Sequence, residues 1–518
     1  MSFVSRPIRQ EKKPNRFRKF AMIGTGILEA AVHLYHQAKH REEDEEKGQK
    51  RVRMLKRTIA VLLSGLLILM LLIGALKILV RLKAISLGSM VSAVSSSPGQ
   101  DEHGFTNVLL LGEGDKDHDG VDLTDTLMVA SLDPVKTKSA VLVSLPRDLY
   151  ALSTEKMGAG RINSLYRDYK NQLRRGGMKE GDAAEESMRQ LAKEVGTFLG
   201  IRIQGAIMLN FSGFEQAIDA IGGIDIVVPE DLVDPEYPGQ NYTYETFSIA
   251  KGPQHLGGAT ALKYARSRHS TSDFSRSGRQ QQIILAASEK AKSMGFLKNL
   301  SKVSEIMSII ARNMQTTFET RELLGLTELG KTIDREKVVS DQLSDQNALY
   351  GGLSAPGGFL YSPPREQFDG ASVLLPVSIP EFPVTWTQIQ KFVQLLINNR
   401  ETFIHPPSVL ILNAGAKSGS ARLLGDEMVR YGFNVIKTRN FSKTKNPSFD
   451  HSWIAVRPNT SNEKIAANVS TSVSLLQTLL GMTDNKTPDP AAFAEEQPDL
   501  VIVLGKDYHY TAFQDLIH

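Results

Sequence analysis

Hydrophobic and polar positions divide the chain into stretches of different kinds. From Thr58 to Leu76 the residues carry no charge, over about the length a helix needs to cross a bilayer, and Lys77, Arg81 and Lys83 close the run. After the breaker Ser95-Ser96-Ser97-Pro98-Gly99, short β-branched runs bounded by Gly, Asp and Pro predict buried strands at Asn107 to Leu111, Thr126 to Ser131 and Ser139 to Leu145. Met188, Leu191, Val195, Phe198 and Leu199 share one helical face, capped by Asp182 and closed by Gly200. A strand at Ala206 to Asn210 follows, then a helix opened by Ser212 with Glu215 and stopped at Gly222-Gly223, then a strand at Ile224 to Val228. This alternation is α/β patterning around a largely buried sheet. Further helices are predicted at Leu297 to Met314, Thr320 to Thr332 and Thr387 to Asn398, with a Gly, Pro and Ser-rich loop from Ala348 to Pro364. Past His405-Pro406-Pro407, strands at Val409 to Leu412, Asn434 to Lys437, Trp453 to Val456 and Leu500 to Leu504, with helices at Ala421 to Tyr431 and Asn462 to Leu480, predict a small second α/β unit.

The expected organisation is a tail at 1–57, one membrane helix at 58–80, a linker at 81–104, an α/β domain at 105–400 and a smaller α/β domain at 408–508. A chain of 518 residues has room for several domains, each with its own core. Lys50, Arg51, Arg53, Lys56 and Arg57 make the leading flank of the span the more positive one, which puts the amino terminus in the cytoplasm and the bulk of the chain outside. The tail runs from scattered Arg and Lys to the acidic run Glu42 to Glu46; its basic part suits contact with anionic membrane lipid, and a disordered tail fits it equally.

Composition excludes several function classes. A net charge of +4 is small for this length, so the whole chain is no general polyanion binder, and the absence of Cys removes disulfides and thiolate metal sites. No Walker loop, nucleophile elbow or zinc spacing occurs. The informative stretch is Lys263 to Gln280, where Lys263, Arg266, Arg268, Arg276 and Arg279 face one acid, Asp273. Charges on a solvated helix are ordinarily interleaved with Glu and Asp, so this cluster points to an anionic ligand, with a structural Arg/Asp cluster as the alternative. Arg276, Arg279, Gln280, Ile283, Ile284 and Ala287 recur at three and four, which puts these polar groups on the stripe that continues into the core, and planar guanidinium forks suit a diphosphate. Acids crowd the loop between the first two strands, among them Asp115, Asp117, Asp119, Asp122 and Asp125, at the sheet edge where ligands bind in open α/β folds. Carboxylate oxygens there suit a hard cation such as magnesium. Arg147, after the third strand, faces the same edge.

Taken in order, Leu109 to Gly112, Thr124-Asp125-Thr126, Ser144 to Asp148, Gly222-Gly223-Ile224 and Lys263 to Gln280 resemble the LytR-CpsA-Psr (LCP) family of cell-wall glycopolymer ligases over roughly Phe105 to Asp334. The second unit, with Val409 to Asn413 and Gly432 to Val435, resembles the LytR carboxyl-terminal domain. The resemblance implies an α/β/α sandwich and a magnesium-dependent phosphotransferase that moves an anionic glycopolymer from a polyprenyl diphosphate to peptidoglycan. By position, Arg147, Arg266, Arg268, Arg276, Arg279 and Gln280 would hold the diphosphate, Asp125 would bind the metal, and Asp273 would orient an arginine or help activate the acceptor hydroxyl. Two positions depart from the family pattern: Leu123 stands where an Arg is usual, and Gly114 where an acid is frequent. Asp115 or Asp122 would then be the second metal ligand. The alternatives are a non-catalytic binder of lipid-linked polymer and a membrane-bound regulator with a nucleic-acid-binding tail. Residues 1–57 contain no helix-turn-helix pattern, so no nucleic-acid partner is expected.

Overall fold

A computed structural model describes residues 96–115, 121–238, 243–267, 273–293, 309, 312–344, 358–377, 384–441, 449–457, 463–484 and 496–517, all within one compact unit, Leu87–His518. The expected tail and membrane helix lie outside the described residues, as does nearly all of the expected helix at Leu297 to Met314. Among the described residues no helix is long and apolar enough to cross a membrane.

The strands and helices that build the main sheet and its flanks are, in chain order, β1 (Thr106–Glu113), β2 (Thr124–Asp133), β3 (Ser139–Leu145), α1 (Ile162–Arg175), α2 (Glu180–Leu199), β4 (Gly205–Asn210), α3 (Phe211–Ala220), β5 (Ile224–Val228), β6 (Leu232–Pro238), β7 (Tyr244–Ile249), β8 (Gly252–Leu256), α4 (Gly258–Arg266), α5 (Asp273–Ser293), β9 (Met314–Thr316), α6 (Thr320–Thr332), β10 (Val338–Gln342), α7 (Thr387–Asn398) and α8 (Arg400–Ile404). The carboxyl-terminal part adds β11 (Val409–Asn413), α9 (Ser420–Arg430), β12 (Val435–Asn440), β13 (Trp453–Val456), α10 (Glu463–Leu480), β14 (Thr483–Asp484) and β15 (Leu500–Leu504).

The main sheet is mixed, in the order β9-β4-β1-β2-β3-β10, and the second runs β12-β11-β15-β13-β14. Alternation along β2 sorts its side chains: Leu127 and Val129 join the core under α1, α2 and α7, while Met128 and Ala130 meet Ile284 and Leu285 of α5 on the other face. Helices therefore cover both faces. The antiparallel pairs β5/β8 and β6/β7, with α3, α4 and α5, enclose a separate core around Ile224, Tyr237 and Tyr264. Two glycines mark close approaches. Gly200 ends α2 at φ 67°, as the sequence predicts. A Cβ at Gly258 would come within 2.2 Å of the Glu215 carbonyl, so α4 docks on α3 only through a residue without a side chain.

Three expectations change. The Ser212/Glu215 box does not start α3; Asn210 is the cap, accepting from Gly213 N at 2.8 Å, because the Ser212 hydroxyl is taken by Asp115. Met314 begins strand β9, where pairing with β4 overrides a helical pattern. The second α/β unit keeps a core of its own, around Leu410, Leu412, Trp453 and Val501, on one face of its sheet only. Leu109 and Val143 of the main sheet belong to one continuous cluster with Ile411, Met428 and Ile502 of the second, bridged by Phe359, Phe392, Leu396 and Tyr431. Fully burying a leucine such as Leu396 contributes about 1.5–3 kcal/mol, and here each such residue serves both sheets. Arg400 on α8 stitches the seam: it is 2% exposed, donates to Ser131 O at 3.1 Å and Ser131 Oγ at 2.9 Å, and lies 4.1 Å from the centre of the Phe105 ring.

Candidate active site

Strand directions gather the site. β1 runs parallel to β4, β3 parallel to β10, and β2 antiparallel to both β1 and β3. The carboxyl ends of β1, β3, β4 and β10 and the amino end of β2 therefore share one edge, which carries Glu113, Asp125, Arg147 and Phe211.

Asp125, at the start of β2, is the hub. Its Oδ2 accepts from Arg147 Nη1 at 3.4 Å, its Oδ1 accepts from Asn163 Nδ2 at 3.0 Å, and its carbonyl accepts from Arg276 Nη2 at 3.3 Å. Its side chain is 42% exposed, whereas that of Arg147 is 20% exposed. Four residues separated by up to 151 positions in sequence thus meet at the predicted edge. Arg266, the last residue of α4, stacks 4.3 Å over Phe211 and donates from Nη1 to Tyr237 Oη at 3.2 Å. Burial pushes the Tyr237 hydroxyl above its ordinary pKa, so at neutral pH it remains a neutral acceptor for that guanidinium. Arg268 lies outside the described residues, as does the side chain of Asp273, the first residue of α5.

Arg279 corrects its sequence reading. It is 8% exposed and turned onto the end of α4, with Nε bonded to Tyr264 O at 2.9 Å and Nη2 bonded to Ser267 O. Gln280 Nε2 reaches Ala265 O at 3.4 Å. These two residues satisfy carbonyls that the end of α4 leaves without helical donors. They hold α5 against α4, which sets the places of Arg276 and Arg266. Gln281, bonded to Ser144 Oγ and Asp341 O at 2.9 Å each, docks the same helix on the sheet.

The acids expected as second metal ligands have other work. Asp115 accepts from Ser212 N at 3.2 Å and Ser212 Oγ at 2.8 Å, at the positive end of α3. Asp122, with φ at 63°, gives both oxygens to Lys170 Nζ at 2.9 Å. Burial works against the Lys170 charge, but Glu180 and Asp122 outweigh it and raise its pKa, so Lys170 stays charged. The described residues contain no group of three or more His, Asp or Glu placed to hold a metal ion. The donor set still suits magnesium in one mode: a half-exposed carboxylate beside arginines can share an ion with substrate phosphates, because magnesium keeps waters and needs no full protein cage.

A stripe on α1, of which the sequence singles out only Asn163, as an amide beside Arg161, completes the wall. Asn163, Tyr166 and Lys170 follow at three and four residues. They reach, respectively, Asp125, Gln315 (whose Nε2 donates to Glu113 at 3.4 Å) and Asp122. Burial first, then Glu113, Asp122 and Glu180, pushes the Tyr166 hydroxyl well above its ordinary range. The available signal was polar residues at helical spacing between the apolar Ile162, Leu165 and Tyr169. Two cavities of about 840 and 890 Å³ lie away from this edge, lined by residues such as Arg202 and Gln394 in one and Arg335 and His405 in the other.

A family model, the LytR_cpsA_psr family, matches residues 81–358, more than half of the chain, and a second, LytR cell envelope-related transcriptional attenuator, matches residues 407–508. The chain belongs to the LytR-CpsA-Psr family. It is 30% identical over 236 residues to the cell wall biosynthesis protein LcpA of Corynebacterium glutamicum, covering 43% of each chain. It is 26% identical to the polyisoprenyl-teichoic acid–peptidoglycan teichoic acid transferase TagU of Bacillus licheniformis, over 49% of this chain and 72% of that one. Against TagV of Bacillus subtilis, named as the same kind of transferase, identity is 28% over 44% of this chain and 53% of the relative. The match thus spans less than half of LcpA and about half of TagV. A crystal structure of B. subtilis TagV aligns with 57% of this chain and 97% of that one, at 23% identity and a TM-score of 0.40.

Proposed function

We propose that the protein is a membrane-anchored phosphotransferase that moves a polyprenyl-diphosphate-linked anionic glycopolymer onto peptidoglycan at the outer face of the cytoplasmic membrane. Residues 58–80 are its single span and the amino terminus lies inside. The observation that carries this reading is the junction of Arg147, Arg276 and Asp125 at one sheet edge. Family membership and the names of the relatives support it.

In this reading an acceptor sugar hydroxyl attacks the phosphorus next to the glycan. A P–O bond forms there as the bond to the bridging diphosphate oxygen breaks, so the glycan phosphate passes to the acceptor and polyprenyl phosphate leaves. Arg147, Arg266, Arg268 and Arg276 hold the diphosphate and offset the charge that builds on the leaving phosphate, the main task in phosphoryl transfer. Magnesium held by Asp125 and phosphate oxygens would add charge neutralisation at the same oxygens. Asp273 orients an arginine or accepts the hydroxyl proton.

The test is cleavage of a polyprenyl diphosphate by the purified protein with magnesium and with EDTA, beside Asp125→Ala. Metal-dependent cleavage, absent in the variant, is expected. Tight binding without turnover would instead favour a non-catalytic binder of lipid-linked polymer. That second reading draws on Gly114, Leu123 and the engagement of Asp115 and Asp122 by Ser212 and Lys170.

A further inference from the structure

Three bonds converge on Asn163, the second residue of α1. Its backbone N–H donates to the Arg147 carbonyl at 3.4 Å, its carbonyl accepts from Thr124 Oγ1 at 3.3 Å, and its Nδ2 donates to Asp125 Oδ1 at 3.0 Å. Asn163 is 3% exposed and Thr124 is fully buried. One residue is therefore bonded both to the chain entering β2 and to the chain leaving β3, the two segments that carry Asp125 and Arg147.

The helix does not need this amide. The cap position of α1 is Arg161, with no side-chain cap, and the Asn163 side chain turns to Asp125 instead. Among the described residues its Oδ1 is buried with no hydrogen-bond partner. An unsatisfied buried carbonyl is a desolvation penalty that an apolar residue of similar size would avoid. Fold stability alone does not account for an asparagine here, whereas orientation of the carboxylate does. With Nδ2 on Oδ1 and Arg147 on Oδ2, both Asp125 oxygens are fixed from below while the side chain keeps its outer exposure.

We propose that Asn163 is a positioning residue of the transfer site, holding the Asp125 carboxylate in the orientation that receives a divalent cation and setting Arg147 beside it. This rests on the transferase reading. It also bears on Gly114: with no acid at that position, Asp125 has less support from neighbouring ligands, and its orientation carries more of the cation affinity.

The experiment uses the full chain in detergent, as wild type, Asn163→Ala, Asn163→Leu, Asp125→Ala and the Asp125→Ala/Asn163→Ala double variant. Mn2+ binding, farnesyl diphosphate binding without metal, kcat and KM for polyprenyl diphosphate cleavage, and the unfolding midpoint are measured for each. Both Asn163 variants are expected to lose about 10–100-fold in Mn2+ affinity and a similar factor in kcat. KM and metal-free farnesyl diphosphate affinity should stay within about threefold, because the arginines remain. In the Asp125→Ala background the second substitution should cost nothing more. Folded variants with Mn2+ affinity and kcat within about twofold of wild type overturn the assignment. So does an equal loss in the Asp125→Ala background, or failure of both Asn163 variants to fold, since the role is then structural. A wild-type protein that does not bind farnesyl diphosphate sinks the transferase reading itself, whereas normal wild-type binding with unaltered variants sinks only the role of Asn163.

Discussion

Replacing Arg400 with alanine tests whether the two sheets stand or fall together. Ser131 is fully buried, and its carbonyl and hydroxyl both accept from the Arg400 guanidinium. Removing the donor leaves the buried Ser131 hydroxyl oxygen unsatisfied, at about 1–3 kcal/mol, and takes one bond from a carbonyl that stays in the β2/β3 ladder opposite Val141. It also removes a guanidinium stacked 4.1 Å from the Phe105 ring centre, a contact of about 1–2 kcal/mol when desolvated. Burial lowers the Arg400 pKa to about 10, so the residue is charged at neutral pH and its own desolvation offsets part of this gain. The net loss is expected to be about 3 kcal/mol. The assay follows from the two tryptophans in the chain: Trp386 stacks on Phe198 of α2 at 4.3 Å, and Trp453 sits in β13 of the second sheet. Urea unfolding of single-tryptophan versions, carrying Trp386→Phe or Trp453→Phe, should give one coincident transition in each background, displaced to lower urea by Arg400→Ala. A loss under about 1 kcal/mol, or a Trp453 transition that stays in place while the Trp386 transition moves, would refute the shared core as the source of stability.

Arg147→Ala and Arg276→Ala should each weaken diphosphate binding by more than about 1 kcal/mol, since each removes charge-assisted bonds; isothermal titration with farnesyl diphosphate checks this, and unchanged affinity in both would remove the clamp. Asp341, at the end of β10, has its pKa raised to about 6 from an ordinary 3.8, chiefly by burial. Its folded form binds the proton more tightly, so the stability it contributes is lost as pH rises from about 4 through about 6. Asp341→Asn should therefore stabilise the protein at pH 7 by on the order of 2 kcal/mol and flatten that limb of the stability profile. A steeper fall in the variant would contradict the sign. Glu496 is held down to about 2 from an ordinary 4.5, first by its bond to Arg439 and then by Lys437. That stabilisation is complete above about 4.5 and disappears as pH falls through about 2, so Glu496→Gln should lower stability at neutral pH and weaken its acid dependence. Equal acid dependence in variant and wild type would discard the pairing.

Much of the fold was legible in the chain because its signals are local. β3, α6, α7, β13 and β15 begin and end where alternation, stripes and breakers place them. Turn chemistry also carried through at Gly200. α1 was missed because its face toward the sheet edge is polar: Asn163, Tyr166 and Lys170 interrupt the apolar stripe that announces a packed helix. Two of these, Asn163 and Lys170, are the residues that hold Asp125 and Asp122, so the weak helix signal and their placement at the sheet edge have one cause.

The sequence by itself determined the alternating α/β elements, the apolar run from Thr58 to Leu76, the arginine-rich block and the acidic loop, since each depends on residue type and on spacing within a few turns. Tertiary structure decided which of these groups meet. Arg276 and Arg279 stand three residues apart on one helix, yet the first reaches the Asp125 carbonyl and the second the end of α4. Helical periodicity specifies a face of α5; only the packing of α5 between β5, β10 and α4 specifies which acceptors that face finds. The core cluster that spans both sheets was undetermined for the same reason, because burial is recorded in the pattern of a helix such as α7, and the identity of what buries it is not.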